Sequence, residues 1–388
     1  MRICVVGPTY PYRGGISHYT TLLVQHLRKA GHWTRLYSFT RQYPRWLFPG
    51  KSDRDPSASP LRTECEYVLD PVNPFTWWKL CRKIRNDAPD LLILQWWVPY
   101  WTPSLTIISR WIKRNTDIPI LYICHNVMPH DGGGVLDRRL ALTVLRQGDA
   151  FIVHSDQDRV RLLALLPNEL VVRAQIPTYA GVATQSVGVS AETIRRQFKL
   201  PAQRPIIMFF GFVRPYKGLE YLIQALPHIL AKLNVHLLVV GEFWSSPEFY
   251  ARYAREFEVE HAITFVNQYV PNEELQPYFD LVDVVVLPYI SATQSAVVQL
   301  AFGFGKPVIT TRVGGLHEVV QDGVNGLLVP PQDEHALADA VIRFYENDTA
   351  AMLQAHVQQN HRDMFAWETL VQAIEQTQHK LQSRVHTK

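Results

Sequence analysis

The sequence predicts an α/β protein made of two doubly wound, parallel-sheet domains that face each other across a cleft. Three observations carry that expectation. Short continuous apolar runs alternate with amphipathic stretches along the whole chain. The runs lack the apolar–polar alternation of half-exposed strands, so they read as strands buried on both faces beneath helices. Finally, 388 residues are too many for one ordinary core and about right for two.

The elements follow in order. In the first half the predicted strands are Ile3–Val6, Leu36–Phe39, Leu91–Leu94, Ile118–Ile123 and Ala150–Val153. Helical stretches lie between them, among them Ile16–Lys29, Phe75–Asn86, Leu136–Arg146 and Asp156–Leu166. The second half repeats the alternation with strands Ile206–Phe210, His236–Val240, Ile263–Val266, Asp283–Leu287 and Pro307–Thr310. Its helices are Leu219–Leu233, Pro247–Glu258, Asn272–Phe279 and Ala292–Phe304, and a third short strand closes the segment that ends at Pro331. Residues 176–190 are rich in Pro, Gly, Thr and Ser without apolar periodicity, which marks a linker. The expected domains are therefore 1–180 and 190–362, with a helical tail over 363–388.

Composition narrows the function. Charged residues are 19% and hydrophobic ones 47%, as in a soluble globular enzyme. A net charge of +4, from 39 basic and 35 acidic residues, is too small an excess to argue for nucleic acid. The apolar run Ile3–Val6 is too short for a signal peptide core, and no run reaches the roughly 18 apolar residues of a spanning helix. Cys4, Cys65, Cys81 and Cys124 show no CxxC spacing, so free thiols in a cytoplasmic protein are expected and a metal site is not.

Two segments depart from the alternation. Thr40–Pro60 is a long Pro/Ser-rich loop carrying basic and aromatic residues, and loops of that length are functional or disordered. LQWWVPYWTP, Leu94–Pro103, places three tryptophans and a tyrosine just past a strand end. These aromatics read either as core packing or as a wall for a sugar or lipid acceptor.

Four motifs carry chemistry. GPTYPYRGGISHYTTLL sets Gly14 and Gly15 immediately before a helix, where backbone N–H groups can turn toward an anion. It lacks GxGxxG and its loop is too long for the dinucleotide fingerprint, so a plain strand-to-helix turn stays open beside the anion site. CHNVMPHD puts His125 just past a strand, either facing a ligand or bonded to a loop carbonyl. FFGFVRPYKGLEYLIQA opens a helix with Arg214 and Lys217. Two cations there repel unless an anion sits between them, and a diphosphate satisfies both; solvated surface charges are the alternative. The fourth, Asp283–Pro331, joins strands through small-residue turns at Thr293, Gln294 and Ser295 and at Gly314 and Gly315, which suits a phosphorylated or nucleotide ligand.

Together these motifs resemble the group 1 (family 4-like) retaining glycosyltransferases of the GT-B fold. The resemblance runs over nearly the whole chain, with GKPVITTRVGGLHEVV and DGVNGLLVPP its most specific pieces. It implies two Rossmann-like domains and transfer of a sugar from a nucleotide-sugar donor, with retention, to a glycan or lipid-linked acceptor. The donor is expected mostly on the second domain and the acceptor mostly on the first. No cofactor or metal is expected. Arg214, Lys217 and the N–H groups around Gly14–Gly15 are the expected diphosphate contacts. His125 is expected at the donor sugar, and Thr293, Gln294, Ser295, Gly314, Gly315 and Glu318 near the donor; for Glu318 a helix-capping role stays open.

The sequence also departs from that family. Two glutamates separated by seven residues usually precede the GKPV segment, and Ala292 and Leu300 stand in their places. The Arg that usually follows the glycine of the basic turn is Phe212. Two rivals stay open: a nucleotide-sugar 2-epimerase-like enzyme, which the missing carboxylates disfavour, and a degenerate, non-catalytic binding or scaffold subunit, which they motivate. Neither donor nor acceptor is identified by the sequence. The aromatic loops suit peripheral association with an inner membrane surface.

Overall fold

A computed structural model describes residues 1–48, 50–128, 134–179 and 189–386. The chain divides into two compact units. Unit 1 comprises residues 1–55, 61–176 and 366–388, and unit 2 comprises 56–60 and 177–365. Part of the expected linker, residues 180–188, lies outside the described residues.

Unit 1 is a seven-stranded sheet in the order β3-β2-β1-β4-β5-β6-β7. The strands are β1 Arg2–Val6, β2 Trp33–Phe39, β3 Glu66–Leu69, β4 Leu91–Trp96, β5 Ile120–Cys124, β6 Ala150–Val153 and β7 Leu170–Arg173. Every pairing is parallel. The crossover helices are α1 Gly15–Lys29, α2 Pro74–Asp87, α3 Thr102–Asn115, α4 Val135–Leu145 and α5 Asp156–Leu165. β4, β5 and β6 are buried at every residue, as their unbroken apolar sequences require. The order turns around between β1 and β4, the place where open α/β sheets bind ligands.

The helix ends follow local chemistry. Asn73 caps α2 by accepting from the Phe75 N–H at 3.2 Å, with Pro74 in the first turn where its missing N–H costs nothing. Ser155 caps α5 through the Asp158 N–H at 3.0 Å.

Unit 2 is a six-stranded parallel sheet in the order β10-β9-β8-β11-β12-β13. Its strands are β8 Ile206–Phe210, β9 His236–Val240, β10 Ile263–Val266, β11 Val284–Leu287, β12 Val308–Thr311 and β13 Gly326–Val329. The helices are α6 Ala191–Gln197, α7 Leu219–Leu230, α8 Pro247–Glu256, α9 Leu275–Asp280, α10 Ala296–Gly303, α11 Leu316–Val319, α12 Glu334–Tyr345 and α13 Thr349–Met364. Here the order turns around between β8 and β11, which pair in parallel at Val284–Ile207 and Val285–Met208.

Two differences from the sequence expectation concern edges and tail. β3 and β7 were not anticipated: both are four residues long and lie at the sheet edges, where partial exposure breaks the continuous apolar signal. The helical tail expected over 363–388 is split. α13 ends at Met364 in unit 2, and α14, Trp367–His386, belongs to unit 1. Trp367 stacks on His26 of α1, and Gln378 donates to the Asp90 carbonyl at 2.6 Å. Among the described residues no helix is long and apolar enough to cross a membrane.

Candidate functional site

In unit 2 two loops leave the sheet at its switch point. One follows β8 and carries Arg214 and Lys217; the other follows β11 and carries Thr293, Gln294 and Ser295. The Ile290 N–H donates to the Tyr216 carbonyl at 2.8 Å and so ties them together. Gly218, at φ +65°, lies so close that a Cβ there would sit 2.2 Å from the Pro288 carbonyl oxygen. The basic turn and the small-residue turn, distant in sequence, are one constellation.

Lys217 closes a short 3-10 turn, Pro215–Lys217, and is only 7% exposed. Its ammonium lies 5.4 Å from the centre of the Tyr289 ring. Burial, and secondarily the Arg214 charge, lower its pKa from 10.5 to about 7. Among the described residues the charge acting on it is that of Arg214. A buried cation whose charged neighbour is another cation is the arrangement an anionic ligand completes. Arg214 is half-buried, with its guanidinium 5.0 Å from the Tyr216 ring centre and 5.1 Å from that of Trp244.

The turn after β11 is knitted to the one after β12. The Gly315 N–H donates to the Thr293 carbonyl at 2.9 Å, and the Gln294 amide donates to the Gly315 carbonyl at 3.2 Å. Gly314 has φ +51°, and a Cβ there would lie 1.7 Å from the Ala292 carbonyl oxygen. Ser295 is the cap of α10, its hydroxyl 3.4 Å from the Val298 nitrogen, so it has a structural duty of its own. Glu318 lies half-buried in the short helix α11, and its N–H donates to the Gly315 carbonyl at 3.2 Å.

The two family glutamate positions carry the apolar residues Ala292 and Leu300. Val297 of α10 lies beside Gly211, 3.2 Å from where its Cβ would be, and Leu300 follows one turn later on the same helix face. Gln299 is the polar residue of α10, next to Leu300. It is buried on a different face of α10, and neither amide atom has a hydrogen-bond partner among the described residues.

Two features of this unit escaped the sequence reading. Phe212, Trp244 and Tyr269, from the loops after β8, β9 and β10, form an aromatic wall, with Phe212 4.7 Å from Trp244 and 5.9 Å from Tyr269 between ring centres. Glu242, just past β9, is 2% exposed and accepts from the Trp244 indole N–H at 3.2 Å. The signal was present as VVGEFW, a carboxylate and an indole directly after a strand and a glycine.

In unit 1, Gly14 caps α1 with φ +107° and open space around its missing side chain, and Gly15 begins the helix. The loop before it is held by the far end of the 40–60 segment: the Arg13 N–H donates to the Asp53 carbonyl at 3.0 Å, and the Asp55 N–H to the Pro11 carbonyl at 2.8 Å. Asp55 also lies 4.0 Å from His18 on the first turn of α1, a pairing the sequence did not announce. His125, past β5, donates from Nε2 to the Gln95 Oε1 at 2.6 Å and meets the Tyr19 ring edge-on at 4.7 Å. Burial, then His154, push its pKa well below the usual histidine value, so the imidazole is neutral. Trp96, Trp97 and Trp101 are buried, and Trp97 and Trp101 pack with Phe39 and Tyr43, which favours the core reading of that aromatic run.

Two doubly wound parallel units, each with glycine-bearing loops at its switch point, define the GT-B class. The chain resembles solved proteins of that class over its full length. Sucrose-phosphate synthase from Thermosynechococcus elongatus covers 99% of this chain and all of its own at 21% identity and a TM-score of 0.72. Anabaena HepE in complex with UDP covers 98% of this chain and 100% of its own at 17% identity and a TM-score of 0.73. The model for glycosyl transferases group 1 matches residues 204–347, and that for glycosyltransferase family 4 matches residues 13–172. The chain therefore belongs to the group 1, family 4-like glycosyltransferases. Among curated relatives, the D-inositol 3-phosphate glycosyltransferase of Corynebacterium glutamicum (strain R) is 27% identical over 234 residues, 59% of this chain and 54% of that protein. The one from Mycolicibacterium smegmatis is 30% identical over 190 residues, 48% of this chain and 42% of that protein. The chain thus matches about half the length of these relatives.

Proposed function

We propose that this protein transfers a sugar from a nucleotide-sugar donor to a glycan or lipid-linked acceptor, with retention of configuration and without a metal. One observation carries the reading: Lys217 is buried at the β8/β11 switch point, and among the described residues the charge acting on it is that of Arg214. The family membership and the HepE structures solved with UDP and with UDP-glucose support it.

In this reading the donor's diphosphate lies against Lys217 and Arg214. Negative charge grows on it as the bond to the sugar breaks, and preorganised cations in a site shielded from water stabilise that charge. Removing one such donor typically costs on the order of 10²–10³ in kcat. The base stacks on the wall of Phe212, Trp244 and Tyr269. The turn from Thr293 to Ser295 with Gly314, Gly315 and Glu318 meets the donor through neutral hydroxyls and backbone groups where other members use carboxylates. In unit 1 the ligand groups are the Gly14–Gly15 end of α1 and His125, both on the carboxyl edge of its sheet. A neutral imidazole whose Nε2 hydrogen is held by Gln95 orients a sugar; it does not accept a proton through that nitrogen.

The apolar Ala292 and Leu300 favour one other reading, a binding subunit that holds nucleotide without transferring sugar. Titration calorimetry with UDP, GDP and ADP, followed by a donor assay, separates the two. A nucleotide that binds the unaltered protein and not Lys217→Ala, together with sugar release from its donor, supports transfer. Binding without turnover of any donor favours the subunit, and no binding by the folded protein removes the diphosphate assignment.

A further inference from the structure

Unit 1 exposes a group of aromatic side chains that its core does not use. Phe75 and Trp78, on α2, are 84% and 53% exposed. β2 and β3 are neighbours at the edge of the sheet, and α2 follows β3 at that corner. The corner is fastened: the Thr40 N–H donates to the Leu69 carbonyl at 2.9 Å, and Arg41 pairs with Asp70 at 2.7 Å. α2 is held from beneath by buried Trp77, Leu80, Cys81 and Ile84, so its outward face is fixed.

That face has a definite composition. Phe75, Trp78 and Arg82 recur at spacings of three and four and form one stripe, with Lys79 beside it. The Arg82 guanidinium lies 4.7 Å from the centre of the Trp78 ring. The acidic residue of α2, Asp87, is at its far end and accepts from the Tyr37 hydroxyl at 2.5 Å. Exposed aromatics set among cations match an interface where rings enter the headgroup layer and cations meet lipid phosphates. An exposed tryptophan–phenylalanine pair is otherwise a solubility cost with no return.

We propose that this corner, formed by Phe75, Trp78, Lys79 and Arg82, is a docking surface for an anionic lipid bilayer. Phe75 lies just after the carboxyl end of β3, so docking there sets the carboxyl edge of the unit 1 sheet, the edge that bears Gly14 and His125, near the membrane. The inference stands on the exposed face and is independent of the donor assignment.

The test is cosedimentation of the full chain with vesicles of phosphatidylcholine alone and of phosphatidylcholine with phosphatidylglycerol. The expected result is binding to the anionic vesicles that weakens with added salt, and little to the neutral ones. Phe75→Ser combined with Trp78→Ser should lower the partition at least about tenfold, and Arg82→Glu at least about fivefold. Circular dichroism and a nucleotide thermal shift should be unchanged in both variants, because these side chains support neither core nor donor site. Equal sedimentation of the double variant, or no anionic binding by the unaltered protein, overturns the proposal. So does retention on heparin in place of vesicles, which would make the face a polyanion surface. Absence of a nucleotide thermal shift in the unaltered protein would sink the donor reading and leave this one standing.

Discussion

A side chain on Gly211 would come within 3.0 Å of the Lys217 ammonium nitrogen. Gly211 sits at φ +103°, a conformation other residues seldom adopt, directly past β8. The glycine leaves room for the ammonium against the backbone. Gly211→Ala is therefore expected to weaken nucleotide binding at least tenfold and to lower the thermal midpoint by several degrees, since strain of about 1–3 kcal/mol is added as well. Calorimetry and a melting curve on one preparation check both. A variant with unchanged affinity would show that Lys217 does not touch the ligand.

Lys217 also sets a pH dependence. Its pKa in the folded protein is about 7, against 10.5 for an exposed lysine. Between those values the unfolded chain holds a proton that the folded one lacks, so this residue makes stability rise with pH from about 7 to about 10.5 and contributes no slope below. Nucleotide binding runs the other way. An anion prefers the ammonium, so affinity should fall as pH rises above 7, by at most tenfold per unit, with proton uptake on binding. Lys217→Arg should flatten this fall, because guanidinium stays charged. Lys217→Ala reports the titration of the nucleotide's own phosphates. An identical slope in the unaltered protein and Lys217→Arg would contradict the assignment.

Much of the fold was legible because β4, β5, β6, β9 and β11 are buried at every residue and their apolar runs cannot read otherwise. What sequence periodicity misses is short and marginal, as β3 and β7 are. Arg214, Lys217 and the Gly314–Gly315 turn were legible as residues, because strand ends and glycines punctuate a sequence. Their union through Ile290 and Tyr216 was not, because the switch point follows from strand order, which no local pattern encodes. The wall of Phe212, Trp244 and Tyr269 was hidden for the same reason, each ring coming from a different strand. The His18–Asp55 pair joins a helix to the end of a 20-residue-scale loop, beyond any spacing rule.

Gly314 gives a stability prediction separate from binding. A Cβ 1.7 Å from the Ala292 carbonyl oxygen cannot be accommodated without moving the Ala292–Thr293 backbone, and φ +51° adds strain. Gly314→Ala should destabilise unit 2 by roughly 2–5 kcal/mol. Gly14→Ala is the contrast: at φ +107° it has strain but open space, so about 1–3 kcal/mol is expected. Denaturant melts of the two variants compare them. A Gly314→Ala cost no greater than that of Gly14→Ala would show that the turns after β11 and β12 are looser than their contacts imply.

Trp244 joins the cationic and aromatic halves of the proposed donor site. Its ring lies under the Arg214 guanidinium, stacks toward Phe212, and donates its indole N–H to the buried Glu242. Trp244→Ala removes a stacking face and loosens Arg214 at once, so nucleotide affinity should fall by more than tenfold. Trp244→Phe restores a ring without the N–H and should recover stacking while leaving Glu242 short of a donor. That buried carboxylate then costs about 1–3 kcal/mol of stability. The pair of variants thus divides the residue's two duties: affinity should follow the ring and thermal stability the hydrogen bond. If Trp244→Phe binds nucleotide as poorly as Trp244→Ala, the wall is not a base platform, and the indole serves Glu242 alone.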